Sequence, residues 1–99
     1  MIVRGPITTK DKGCSMSVER LLPHFELAYF SGKGFPPDAQ LSFVGDSYGE
    51  KHTITTKTDS AGDLQFVLMP FVSGHQKGTT TVKGSTPNCS LSIKFDWGS

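Results

Sequence analysis

The residues of this 99-residue chain best placed to do chemistry are its two cysteines. Cys14 opens Cys-Ser-Met-Ser-Val (14–18) and Cys89 opens Cys-Ser-Leu-Ser-Ile (89–93), so one five-residue pattern stands near both ends. Thiols this far apart in sequence do not make a Cys-x-x-Cys redox motif. Two readings remain. Either they oxidise to a disulfide that ties the beginning of the chain to its end, or they are two buried thiols acting as small core residues. We expect the disulfide Cys14–Cys89. It would imply an oxidising compartment, and a Cα–Cα separation above about 7 Å would exclude it.

Other reactive types are present without the spacing that chemistry requires. His24, His52 and His75 are scattered, with none of the close pairs that metal sites favour. Serines are frequent, but the Gly-x-Ser-x-Gly nucleophile elbow is absent. Gly32-Lys33-Gly34 lacks the spacing of a phosphate loop and no helical pattern follows it. Asp46-Ser-Tyr-Gly-Glu50 and Asp59-Ser-Ala-Gly-Asp63 look alike, and clustered carboxylates around a glycine suggest calcium. Asp caps and left-handed Gly also make ordinary hairpin turns. The eight residues between the two, 51–58, span roughly 26 Å when extended, which puts the carboxylates at opposite ends of a strand. We read both as turns. Asn88-Cys89-Ser90 fits a glycosylation sequon and is read as accidental. The expectation is therefore no catalytic residues, no metal, no cofactor and no enzyme.

Composition narrows the partners. Ten basic and nine acidic residues leave a formal charge of +1, without the concentrated positive field that nucleic acids or membrane surfaces select. No stretch approaches the roughly 20 apolar residues of a membrane span. The opening MIVRGPITTK has no apolar run long enough for a signal peptide. Eleven Gly and six Pro break long helices. At this length one domain, 1–99, is expected.

The elements that must position the cysteines are strands. Apolar residues recur at alternate positions, giving strands near 2–4, 14–20, 23–31, 39–45, 51–58, 64–70, 78–83 and 89–97. A helical turn near 18–22 is the one competing signal. Inward residues are Met16 and Val18; Phe25, Leu27 and Tyr29; Leu41 and Phe43; Ile54; Leu64, Phe66 and Leu68; Val82; and Leu91, Ile93, Phe95 and Trp97. The fold class is all-β, an immunoglobulin-like antiparallel β-sandwich of seven to eight short strands, with a small barrel as the alternative. Both cysteines are in phase with inward residues at the start of their strands. Parallel neighbouring strands, or packing across the two sheets, could bring the sulfurs together. Ser15, Ser17, Ser90 and Ser92 then face solvent.

One feature exceeds what a solitary sandwich needs. In LQFVLMPFV (64–72) both alternating sets are apolar, and the strand at 23–31 shows the same trait. Ala28, Phe30, Val67, Met69 and Phe71 therefore form a candidate contact face for a neighbouring domain, another protein or a second copy of the chain. The alternative is that residues 70–78 or the N-terminal segment fold over them.

The stretch SGKGFPPDAQLSFVGD (31–46), followed by TTKTDSAGDLQFVL (55–68) and GTTTV (78–82), resembles immunoglobulin-like modules of bacterial secreted and surface proteins. Gly32, Gly34, Phe35 and Pro37 match the first element of that pattern. Thr58, Asp59, Gly62 and Leu64 match the second, and Gly78 and Val82 the third. The resemblance covers about half the chain, and its motifs are the grammar of turns and strands. It implies an extracellular or periplasmic, non-catalytic module for adhesion, spacing or domain association through a β-sheet face. A carbohydrate-binding module is the alternative; it would need Tyr48 and Trp97 exposed together.

Overall fold

The computed structural model describes residues 3–21, 27–70 and 72–98, with only the backbone of 3–5. It contains eight strands: β1 (Val3–Asp11), β2 (Cys14–Leu21), β3 (Leu27–Lys33), β4 (Gln40–Ser47), β5 (Glu50–Lys57), β6 (Leu64–Leu68), β7 (Lys77–Ser85) and β8 (Ser90–Gly98). They form two four-stranded sheets, β1-β2-β3-β6 and β5-β4-β7-β8, in which every pair is antiparallel. Leaving β1 aside, β2-β3-β6 against β5-β4-β7-β8 is the Greek-key order of an immunoglobulin-like sandwich. β1 is an addition along the outer edge of β2.

β1 is much longer than the 2–4 strand read from the sequence. Its residues are mostly polar, and Pro6 interrupts the ladder, with a register shift between Arg4 and Ile7. An edge strand tolerates a residue that cannot donate to a ladder, so Pro6 bends β1 without ending it. The helical turn expected near 18–22 does not form over 18–21, which continue β2 as far as Leu21.

The two sheets close on an aromatic core. Phe30 stacks on its cross-strand partner Phe66, with ring centroids 4.6 Å apart, and meets Phe95 of the facing sheet edge-on at 5.6 Å. Phe43 stacks on Phe66 at 5.2 Å and Phe35 caps it edge-on at 6.3 Å. Met16, Val18, Leu64, Leu68, Val82, Leu91, Ile93 and Trp97 complete the buried cluster, and Leu41 and Ile54 pack at its margin.

β3 corrects one expectation. Ala28 and Phe30 are fully buried, whereas Leu27 and Tyr29 are half-exposed on the opposite side. Phe25 lies outside the described residues. Both alternating sets of this strand are apolar, so periodicity could not choose its face. Packing does: Phe30 fills the space between Phe66 and Phe95, and Tyr29 takes the outward side. Ala28 and Phe30 therefore belong to the core and not to a contact face.

β2 and β8 lie side by side in different sheets and run in the same direction. Cys14 and Cys89 are disulfide-bonded at one pole, with Cα atoms 6.4 Å apart. At the other pole the buried Arg20 guanidinium pairs with the Asp96 carboxylate and also donates to the Asp96 carbonyl at 3.3 Å. The seam is thus fastened at both ends. β1 runs back along β2, placing Val3 opposite Leu21. Residues 3 and 98 consequently sit at the same pole, the one marked by Arg20 and Asp96, and the disulfide sits at the far one.

At the disulfide pole the two halves of the sequence motif hold each other. Thr58 is buried; its hydroxyl donates to the Pro36 carbonyl at 2.6 Å and accepts from the Ala39 amide at 2.8 Å. The Phe35 amide donates to the Gly62 carbonyl at 3.2 Å and the Asp38 amide to the Asp59 carbonyl at 3.0 Å. Gly34 has φ +81°, and a Cβ there would stand 2.0 Å from the Gly13 carbonyl oxygen, so only glycine lets the two turns touch.

Two outcomes follow from this pole. Thr58→Val keeps the shape but strands a buried carbonyl and amide, and should cost about 1–3 kcal/mol in urea unfolding. Reducing the disulfide, whose cysteines are 75 residues apart, should cost up to about 4.5 kcal/mol on chain-entropy grounds. Equal urea midpoints with and without reductant would contradict the second expectation.

Candidate functional site

The outer face of the β1-β2-β3-β6 sheet carries the most unusual surface. Side chains directly opposite one another on paired strands share a face. Leu21 opposes Leu27, and Tyr29 opposes Val67. Met69, two residues beyond Val67, continues the row. Val67 is 52% and Met69 68% exposed, and Leu21, Leu27 and Tyr29 are half-buried around them. These five side chains lie toward the pole that holds residues 3 and 98. Glu19 stands opposite Tyr29 on this face, and toward the disulfide pole the face turns polar throughout, with Ser15, Ser17, Ser31 and Gln65.

Of the contact face expected from the sequence, Val67 and Met69 are therefore outward and exposed. Ala28 and Phe30 are in the core, and Phe71 lies outside the described residues. Leu21, Leu27 and Tyr29 take the places of the two core residues. Cross-strand register finds them: once β3 is set by Phe30 against Phe66, Tyr29 must stand beside Val67.

The opposite sheet presents a different surface. Lys51, Lys83 and Lys94 surround a shallow depression of about 460 Å³ that also contains Asp46, Val44, Thr79, Thr81 and Tyr48. Its charges are mixed and its floor is the sheet itself. Tyr48 is 55% exposed, stacks on His75 at 3.7 Å, and donates its hydroxyl to the Lys77 carbonyl at 2.8 Å. Trp97 meets Tyr48 edge-on at 6.4 Å but is only 1% exposed. The two rings do not form the paired platform on which a sugar face could stack.

The remaining sequence candidates resolve into structural roles. In the first look-alike turn the Asp46 carboxylate accepts from the Gly49 amide at 3.0 Å, and Tyr48 and Gly49 both have positive φ, as a two-residue hairpin requires. In the second, Asp59 accepts from the Ala61 and Asp63 amides, both at 2.9 Å. That turn joins β5 to β6 across the two sheets and is not a hairpin within one. The two turns stand at opposite ends of β5, with their aspartates committed to backbone amides. Among the described residues no cluster of three or more His, Cys, Asp or Glu could hold a metal. His52 is exposed on β5, His75 lies against Tyr48, and His24 is outside the described residues. Ser15, Ser17, Ser90 and Ser92 all point away from the core.

No family model matches the chain, and neither do any of the curated proteins or solved structures.

The assignment of faces can be checked by stability. Val67→Thr and Met69→Thr should each shift the unfolding free energy by less than about 0.5 kcal/mol, as at an exposed position. Phe30→Ala should cost about 3–5 kcal/mol, as in a packed core. A large loss at Met69 or a small one at Phe30 would reverse the face assignment.

Proposed function

We propose that this chain is a non-catalytic association module that binds a protein partner through the outer face of the β1-β2-β3-β6 sheet. The observation that carries the reading is the exposed pair Val67 and Met69, flanked by Leu21, Leu27 and Tyr29. A sandwich with one face in water is normally polar there, and a row of apolar side chains on that face gains by being covered. The partner is a neighbouring domain of a parent protein, another protein or a second copy. Adhesion and domain association fit the geometry better than spacing: residues 3 and 98 share a pole, so the body adds little length between them. The disulfide supports an oxidising, extracellular or periplasmic setting. The resemblance of residues 31–83 to bacterial surface modules points the same way. No helix among the described residues is long and apolar enough to cross a membrane.

The test compares the wild-type chain with a Val67→Glu/Met69→Glu variant. Self-association is measured by sedimentation, and binding to an adjoining domain, where the gene product has one, by titration. Association is expected with the wild type and at least tenfold weaker with the variant. A wild type that stays monomeric and binds neither, or a variant that binds as well, contradicts the proposal.

A further inference from the structure

The connectivity of the fold gives the disulfide a mechanical consequence. Load applied to the chain through its two ends enters along β1 and leaves along β8. β1 is the weaker of the two. Both are edge strands, but the β1 ladder is interrupted between Arg4 and Ile7, and Ile7 is its one described side chain packed against the core, whereas β8 buries Leu91, Ile93, Phe95 and Trp97. Because residues 3 and 98 share a pole, pulling them apart peels β1 from its ladder with β2, and from β8 which it also contacts, one pair at a time starting at Val3. Opening of this kind stops at Cys14, where the covalent path crosses to Cys89.

From there the load runs straight along β8, from Cys89 at one pole to Gly98 at the other. A β-strand already rises about 3.3 Å per residue, against a maximum near 3.6 Å. Tension along β8 can therefore lengthen it by only a few ångströms, so it does almost no work on the fold. We infer that the Cys14–Cys89 bond takes the sandwich out of the load path, leaving residues 15–88 folded and slack while β1 and the β8 backbone carry the tension.

The opened bond restores the load. Cys14 and Cys89 then part, and tension enters β2 at Cys14 and β8 at Gly98, from opposite poles, so the two strands are loaded in shear with the Arg20–Asp96 contact between them. Val67 and Met69 lie within the ring closed by the bond, so a partner seated on them would stay seated under tension. That use rests on the association reading. The mechanical property does not, and its test involves no partner.

The experiment holds the full chain by residues 1 and 99 in optical or magnetic tweezers, oxidised and then with a thiol reductant. Only residues 1–13 and 90–99 lie outside the ring. At about 3.5 Å per residue the oxidised chain should lengthen by no more than about 80 Å, closing again on relaxation. The reduced chain should release up to about 340 Å from its 99 residues at the same rise. A Cys14→Ser/Cys89→Ser variant should match the reduced chain; if it does not fold, the reduced wild type decides. Release from the oxidised chain as large as from the reduced one, or no more release after reduction, would overturn the inference.

Discussion

The fold depends on the seam between β2 and β8. These strands belong to different sheets, so no backbone ladder joins them, and β1, the outer strand beyond β2, also lies against β8 along this margin. Here a covalent bond closes one end of the seam and a buried guanidinium–carboxylate contact the other. Between them Met16 and Val18 of β2 and Leu91, Ile93 and Phe95 of β8 all point into the same interior. Arg20 is in phase with Met16 and Val18, which forces its charge inward. Such a charge is tolerable only because Asp96, itself partly in water, meets it at the rim. At the disulfide pole the Ser90 amide donates to the Asp11 carboxylate at 2.7 Å, so β1 is tied to the same corner.

Fixing that seam also fixes what the surface can offer. With Phe30 committed to the aromatic core, the alternate residues of β3 and β6 must face out, and several of them are apolar. The result is an apolar row on one sheet and a lysine- and threonine-lined row on the other. Asp46 and Asp59 accept from amides of their own turns, and the two sulfurs are bonded to each other.

Much of this was legible in the sequence. The repeated Cys-Ser-apolar-Ser-apolar pattern placed both sulfurs on inward faces, and alternate apolar residues located seven of the eight strands to within a few residues. The failures have physical causes. Periodicity reads β1 too short because its pairing uses backbone groups that polar residues supply as well as apolar ones. It does not orient β3 because both faces of that strand are apolar, and only the choice between Phe30 and Tyr29 as the ring to bury decides it. Arg20 carries no inward signal because its type marks surface, although its position shares a face with Val18. Thr58 and the Gly-Phe-Pro-Pro stretch read as separate turn signals; their bond to each other spans residues 35–62 and has no periodicity to reveal it.

The most direct measurement is a non-reducing peptide map of the chain folded under oxidising conditions. The account predicts one linked pair of peptides, containing Cys14 and Cys89, that separates on reduction. Recovery of both cysteines as alkylatable free thiols in the folded protein would contradict it, because the seam on which the two sheets depend would then be open at one end.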